Sequence, residues 1–431
     1  MRIQDHLAKL SWTAADKLLF VVYGFVQLVQ IRSLTPVEFG LFALLNALQT
    51  FISTISDSAI LQAIIMRGSV REEHGAVNRF ALIWHLALTL GGSLLVWLAS
   101  VPLAHLLGEP RVANVAGYVP LMCLVAIPRT FCIKLLSRDV QAKAIFTVNA
   151  AWIGSMVALT AWMIATKRLQ RMDDMVAIAA SGMACASCVA LWITRKLLVF
   201  TVEKQVRYHE VIYVGLYQGL AGIIGNGVRQ LDIYIVQYFF GTATVGMYQS
   251  AKSLFRFFDE AFSGVMNLLY PGTIRLVAER REAELLAFIS KTLSFTLVTM
   301  IGAALFFWIG GAELLVRIAL PAKFSSAVGY FLLLVLVAPL LPFEMLKTVV
   351  IAYGAMRQLL LYIVLGGLAG ICTTALVGLL GAEHLVPLGV VAYNAVFGGL
   401  CFFFMRSRLH FPLHLLWRAI PDTRNFLQAR L

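Results

Sequence analysis

The stretch Arg32-Ser-Leu-Thr-Pro-Val-Glu-Phe-Gly40 separates two long apolar runs near the start of the chain, at 11–31 and 40–66. Each run is long enough for a membrane-crossing helix, which needs about 20 predominantly apolar residues. Similar runs continue to the end of the chain with short connections between them, so the sequence predicts twelve spans. The predicted spans are 11–31, 40–66, 80–104, 113–135, 144–166, 175–199, 211–238, 242–270, 288–314, 326–351, 358–380 and 384–405.

The composition agrees with a chain that is mostly embedded in a bilayer. The 431 residues are 60% hydrophobic and only 13% charged, and the mean hydropathy is +0.83. A soluble domain has about 25% charged residues. These values exclude a water-soluble enzyme and a disordered or collagen-like chain, and they predict an all-α polytopic membrane protein.

The net charge of +13 comes from Lys and Arg residues that lie mostly at the ends of the apolar runs. They are concentrated on the side that also holds the N-terminus, as the positive-inside rule requires of cytoplasmic loops. The pattern predicts cytoplasmic N- and C-termini and explains the basic charge without a nucleic-acid partner. The segment from His410 onwards is interpreted either as a short amphipathic helix at the inner interface or as a basic tail.

The eighth span carries a stripe of polar residues on an otherwise apolar helix. They fall within about 100° of one helix face, and the second span carries a weaker stripe of the same kind. Charges at membrane depth are costly and normally face a bundle interior or an aqueous cavity. The two sets are Gln249, Lys252, Arg256, Asp259, Glu260, Ser263 and Asn267, and Asn46, Gln49, Thr50, Ser53 and Asp57.

A single offset of 206 residues relates the two stripes. It places Gly40 on Gly246, and Asn46, Thr50, Ser53 and Asp57 on Lys252, Arg256, Asp259 and Ser263. It also places the first span, with Asp16, Tyr23 and Gln27, on the seventh, with Gln218, Asn226, Arg229 and Asp232. The offset predicts two pseudo-symmetric six-helix lobes, 1–205 and 206–431, the second with a cytoplasmic tail. A site between parallel repeats is a recurring transporter design.

The charged residues also allow a purely structural interpretation. Arg256 and Glu260 are four residues apart and could neutralise each other within a packed core. The pairs Asp16 with Lys17, Arg229 with Asp232, and Glu344 with Lys347 leave the same alternative open.

The turn that begins at Arg32 resembles that of the Wzx-type polysaccharide-biosynthesis proteins, which are lipid-linked oligosaccharide flippases. They belong to the MOP superfamily with the lipid II flippases and the multidrug MATE exporters. In that family an arginine ends the first helix and a Leu-[Thr/Ser]-Pro-x-[Glu/Asp]-[Phe/Tyr]-Gly turn begins the second. An Asp-x-Gly usually follows near the cytoplasmic end of the second helix. Here Asp57 is followed by Ser58 and Ala59, so the glycine of that pattern is absent.

The resemblance implies a MATE-like, V-shaped transporter of the bacterial cytoplasmic (inner) membrane that works by alternating access and is not an enzyme. Its cargo would be an undecaprenyl-pyrophosphate-linked oligosaccharide, moved outward for the O-antigen of lipopolysaccharide, for exopolysaccharide or for capsule. The same resemblance would make a polysaccharide polymerase and a chain-length regulator its partners.

Such a cargo gives each group of cavity candidates a role. Basic side chains would bind the pyrophosphate, for which arginine offers bidentate contacts: Arg229, Lys252 and Arg256. Amides would hydrogen-bond the sugar: Gln27, Asn46, Gln49, Gln218, Asn226, Gln249 and Asn267. Acids would bind a coupling proton or sodium ion, or balance the basic charge: Asp16, Asp57 and Asp232. The remaining candidates are Lys17, Asp259, Glu260, Arg129 and Lys347, of which the last two could instead snorkel to the interface. The sequence predicts no metal site and no cofactor beyond the coupling ion.

Three other function classes stay open. One is a non-transporting scaffold that retains the fold, although such a scaffold gives the polar stripes no purpose. A MATE-like exporter of drugs or metabolites has the same fold, and the balance of acids and bases does not decide between them. A membrane enzyme of polysaccharide assembly fits less well, because the outer connections are short and the histidines are scattered.

Overall fold

The computed structural model describes residues 3–66, 70–202 and 208–409. Within these ranges, the side chains at 3–10, 66, 208–219, 221, 229 and 267–268 lie outside the description. The described residues form helices and short connections, and none of them forms a strand. The predicted interfacial segment from His410 onwards lies outside the described residues.

The helices follow the predicted spans closely. In the first part of the chain they are α1 (Ile3–Ser33), α2 (Pro36–Ser56), α3 (Gln62–Met66), α4 (His74–Leu98), α5 (Ser100–Leu106), α6 (Val112–Arg138), α7 (Ala142–Ala165) and α8 (Met172–Thr194). In the second part they are α9 (Tyr208–Phe240), α10 (Thr242–Ala278), α11 (Glu282–Phe306), α12 (Ala312–Ala319), α13 (Ala327–Val335), α14 (Leu341–Glu344), α15 (Lys347–Ala352), α16 (Met356–Leu379) and α17 (Leu388–Leu409).

Ten helical segments of the described chain are long and apolar enough to cross a membrane. They coincide with the predicted spans other than the seventh and eighth. Those two positions are occupied by α9, of 33 residues, and α10, of 37 residues. The prediction of an all-α polytopic membrane protein is confirmed.

The turn between α1 and α2 is built by Thr35, Pro36 and Glu38. Thr35 caps α2, because its hydroxyl accepts the backbone N–H of Glu38 at 3.3 Å, and Pro36 occupies the first turn, where no N–H is needed. The Glu38 carboxylate accepts one hydrogen bond from the Arg111 guanidinium at 2.5 Å and another from the backbone N–H of Met172 at 2.7 Å. One side chain therefore joins the start of α2 to the starts of α6 and α8.

The starts of α2 and α10 cross with their backbones in contact. A Cβ added to Gly40 would overlap the Thr242 carbonyl oxygen, and one added to Gly246 would overlap the Pro36 carbonyl oxygen. The 206-residue offset exchanges these two contacts, since it relates Pro36 to Thr242 and Gly40 to Gly246. The crossing is therefore locally two-fold symmetric, and glycine is required at both positions.

Several predicted spans are interrupted; the span at 288–314, for example, contains a π-helical turn, Phe307–Gly311, between α11 and α12. A π-helical turn, Asp57–Leu61, separates α2 from α3. The span at 327–352 is divided among α13, a 3₁₀ turn (Ala338–Leu340), α14 and α15. Pro339 and Pro342 lie in this division, and proline breaks a helix because it lacks the N–H and clashes with the preceding turn.

Contacts divide the chain into two compact units, Met1–Ser253 and Leu254–Leu431. The helix α10 begins in the first unit and ends in the second. Within the first unit, a core of buried residues joins α3, α4, α6, α7 and α8, among them Leu61, Ile64, Ala81, Leu135 and Val148. The lobe boundary between 205 and 206 rests on the sequence repeat and stays a prediction.

Candidate translocation site

Asn149 on α7 lies between an acid of α1 and a base of α6. Its Nδ2 donates to Asp16 Oδ1 at 2.8 Å, and its Oδ1 accepts from Arg129 Nη2 at 2.7 Å. The Arg129 guanidinium also lies 4.5 Å from the ring centre of Trp152, which is a cation–π contact. Its Nε is buried without a hydrogen-bond partner among the described residues. The acid and the base thus share a neutral amide as hydrogen-bond partner, and one donor of the guanidinium makes no hydrogen bond within the described residues.

Asp57 is ion-paired with Lys134 of α6. The Lys134 Nζ lies 2.9 Å from Asp57 Oδ1, and 42% of the Asp57 side chain remains exposed. Directly before it, the Ser56 hydroxyl lies 2.5 Å from His85 Nδ1, while His85 Nε2 lies 2.9 Å from the Thr130 hydroxyl. The histidine is buried within this network, which satisfies polar groups where α2, α4 and α6 meet.

Asp232 on α9 is the acceptor for two side chains of α10. The Tyr248 hydroxyl donates to its Oδ2 at 2.6 Å, and Lys252 Nζ donates to the same oxygen at 2.8 Å. Asp232 is buried, and its Oδ1 has no hydrogen-bond partner among the described residues. About a quarter of the Lys252 side chain is exposed, at 23%. This cluster holds a buried carboxylate next to a partly accessible cation.

Two of the ion pairs that the sequence left open form within the second unit. Arg256 Nε lies 3.8 Å from Glu260 Oε1, which is longer than a hydrogen bond. Lys347 Nζ donates to Glu344 Oε1 at 2.6 Å, at the break between α14 and α15. Asp259, between the members of the first pair, is exposed.

The other candidates are placed as follows. Gln27 donates to the Tyr23 hydroxyl at 3.0 Å, and Gln49 donates to the Met122 carbonyl oxygen at 3.4 Å. Lys17 Nζ lies 5.9 Å from the ring centre of Phe20. Asn46 and Gln249 are half-buried, whereas Asn226 is exposed. The side chains of Gln218, Arg229 and Asn267 lie outside the described residues.

Sequence reasoning missed four residues that hold these candidates: Asn149, Trp152, Tyr248 and Lys134. Two of them could have been recognised from the sequence. Tyr248 lies four residues before Lys252, on the same helix face, and Asn149 is a polar residue within the apolar run of the fifth span. Trp152 and Lys134 act across helices, where the sequence spacing carries no information.

The comparisons with known proteins agree on one group. The sequence model of the polysaccharide biosynthesis protein family matches residues 29–329, which is more than half of the chain. A search of curated proteins gave no significant sequence match.

Solved structures with the same fold come from the MOP superfamily. The chain is similar to an inward-facing multidrug-resistance MATE transporter, with 15% identity, 90% of this chain and 94% of that chain covered, and a TM-score of 0.76. It is similar to the lipid II flippase MurJ in an inward closed conformation, with 12% identity, coverages of 98% and 92%, and a TM-score of 0.75.

A third similar structure is a MOP superfamily transporter from Pyrococcus furiosus, described by the reverse polarity of its binding pocket. It shares 15% identity, with coverages of 95% and 93% and a TM-score of 0.62. The match of the family model over most of the sequence, together with these shared folds, confirms the resemblance carried by the Arg32–Gly40 turn. The chain is a multi-pass membrane protein with the fold of the MOP superfamily transporters, and it belongs to the polysaccharide biosynthesis protein family.

Proposed function

We propose that the chain is a flippase, and not an enzyme, that moves an undecaprenyl-pyrophosphate-linked oligosaccharide from the cytoplasmic to the outer leaflet of the bacterial cytoplasmic membrane by alternating access. Membership of the polysaccharide biosynthesis family supports the cargo class, and one similar structure is a lipid II flippase. The product would enter O-antigen, exopolysaccharide or capsule assembly, with a polymerase and a chain-length regulator as partners.

The observation that carries this proposal is the contact of Lys252 with Asp232. The lysine lies on the polar stripe of α10, is partly exposed, and donates to a buried carboxylate oxygen at 2.8 Å. A phosphate oxygen has the charge and the acceptor geometry to take the place of that carboxylate oxygen. Lys252 would therefore exchange its ion pair with Asp232 for one with the pyrophosphate of the cargo.

The Asp232 side chain also supports ion coupling. Its Oδ1 is buried and accepts no hydrogen bond within the described chain, and a buried acceptor without a partner is costly. A proton or a sodium ion on Asp232 would remove that cost when Lys252 turns to the cargo. Asp16 and Asp57 are the other two acids proposed for this role.

A MATE-like exporter remains the second candidate, because a MATE transporter matches the fold as well as MurJ does. The family match favours the oligosaccharide branch over it.

The test compares Lys252→Ala with the double variant Lys252→Met/Asp232→Asn, in cells whose surface polysaccharide depends on this chain. The single variant leaves the buried Asp232 carboxylate without its lysine. A defect in this variant alone would therefore be explained either by that uncompensated charge or by the loss of cargo binding. The double variant removes both charges. We expect surface polysaccharide to be lost in both, because neither can bind the pyrophosphate at this position.

Lys167→Ala, in the exposed connection between α7 and α8, is the matched control and should keep normal polysaccharide. Normal polysaccharide in the double variant would show that Lys252 only neutralises Asp232, and would refute its role in cargo binding. Membrane levels of each variant are measured in parallel.

A further inference from the structure

We infer that the glycine crossing of α2 and α10 is a latch that closes the outer ends of these helices and parts in every transport cycle. The inference rests on the proposed alternating access and on the predicted cytoplasmic termini, which place the starts of α2 and α10 on the outer side. The latch consists of Gly40 and Gly246 with the backbone around Pro36 and Thr242.

The two helices touch through backbone atoms at this point. A Cβ on Gly40 would lie 3.0 Å from the Gly246 amide nitrogen, in addition to its overlap with the Thr242 carbonyl oxygen. A Cβ on Gly246 would lie 3.1 Å from the Gly40 amide nitrogen. This backbone contact leaves no gap for a water molecule between the two helices at the crossing.

Two side-chain hydrogen bonds beside the crossing are long. The Thr242 hydroxyl donates to Glu109 Oε2 at 3.3 Å, and Gln237 Nε2 donates to the Leu107 carbonyl oxygen at 3.4 Å. Both distances are beyond the usual range for hydrogen bonds of their type. Both contacts join the connection before α6 to the junction of α9 and α10, and either can be exchanged for water when the helices separate.

The position of the latch relative to the polar stripes supports a closing role. Asn46 and Lys252 each follow their glycine by six residues, which is about 9 Å along a helix. These two stripe residues thus lie about one and two-thirds turns inward of the crossing. A barrier at the glycines separates the stripes from the outer side.

The first test measures how fast a reporter cysteine is reached from outside the cell. Asn46→Cys is placed in a chain whose exposed cysteines, Cys185, Cys188 and Cys372, are replaced by serine. Labelling by a membrane-impermeant maleimide is then followed in intact cells. Gly40→Ala or Gly246→Ala inserts a methyl group into the crossing, holds it open, and should speed labelling about tenfold by shifting the population toward the outward-open state.

Gly91→Ala and Gly264→Ala are the matched controls, since an added Cβ meets nothing within 4 Å at either position. They should leave the labelling rate unchanged. Equal rates in the latch variants and in the controls would overturn the inference. The assay needs no cargo, so its outcome is independent of which molecule the chain carries.

The second test keeps both glycines. In Glu109→Cys/Thr242→Cys, two side chains that meet at 3.3 Å in the native chain are joined by a short reducible thiol cross-linker. We expect cross-linking to stop surface polysaccharide production and reductant to restore it, while each single-cysteine variant stays active after the same treatment. Continued transport by the cross-linked protein would show that this contact does not part, and would overturn the latch.

Discussion

At the scale of single residues, the buried and half-buried charges of the first unit are held by neutral groups as well as by opposite charges. Asn149 stands between Asp16 and Arg129, and the Tyr248 hydroxyl joins Lys252 on Asp232. A direct ion pair in a low-dielectric setting must recover a large desolvation cost and is expensive to open. Neutral partners satisfy the same charges and leave them easier to transfer to a ligand.

Replacing Asn149 should show how much this bridge stabilises the protein. Asn149→Ala removes the amide to which the Asp16 carboxylate and the Arg129 guanidinium are both hydrogen-bonded, so we expect a loss of about 1–3 kcal/mol in unfolding free energy. Thermal unfolding of the purified protein in detergent measures it. Thr147→Ala on the same helix, where the exposed hydroxyl bonds only its own turn, is the control. An equal effect of both changes would contradict the bridging role.

The contrast between Asp16 and Asn149 shows what the sequence can predict about the site. The helical period identifies Asp16 as one member of a polar face, because it depends only on neighbours along the same helix. The partner lies 133 residues away, on a helix whose rotation is set by packing. For the same reason Asp57 was predicted without Lys134, and Lys252 without its contact to Asp232.

At the scale of elements, α10 combines a buried face with a polar one along its length. Leu254 and Phe262 are buried, whereas Gln249, Lys252, Arg256 and Ser263 are half-exposed. The stripe therefore keeps its accessible side in the folded chain, as a helix lining an aqueous path requires.

Cysteine scanning of α10 tests whether that side meets water. We expect a hydrophilic maleimide to label cysteines at 249, 252, 256 and 263, and to label those at 254 and 262 at least tenfold more slowly. The reason is that only the first group is partly exposed. Uniform protection of all six positions would identify the stripe as a packed ionic core.

The α1–α2 turn should contribute to stability through Glu38. Glu38→Ala removes the acceptor of the Met172 N–H and the partner of Arg111, and the expected loss is about 1–3 kcal/mol. Glu313→Ala is the control, because its ion pair with Arg317 is exposed on both sides and such pairs contribute about 0–1 kcal/mol. Urea titration of the detergent-purified protein compares the two, and equal midpoints would contradict the assignment.

Regular and interrupted elements differ in how well they could be predicted. Hydropathy located α6 and α7 to within three residues at each end, since each is one apolar run between polar connections. The π-helical turn at Asp57–Leu61 and the breaks within 327–352 were not predicted. Pro339 and Pro342 are visible in the sequence, but they do not by themselves predict a break. A helix in a bilayer tolerates proline where neighbouring helices satisfy the backbone groups that the proline leaves unbonded.

At the scale of the whole molecule, exporters and flippases share this fold. The fold therefore does not identify the cargo, and a transport experiment is needed. Reconstituted into vesicles, the purified chain should move an undecaprenyl-pyrophosphate-linked oligosaccharide between leaflets, whereas the Lys252→Met/Asp232→Asn variant should not. Accessibility of the labelled sugar to an external hydrolase measures the transfer. Efflux of cationic dyes without movement of the lipid-linked sugar would instead assign the chain to the exporter branch.

The Glu38 carboxylate also bears on how the protein is made. One of its two partners is the backbone N–H of Met172, which the ribosome adds 134 residues later. Until α8 has been synthesised and inserted, the turn between the first two helices lacks that donor. We therefore expect nascent chains that stop before Met172 to be more sensitive to protease at this turn than those that extend through α8.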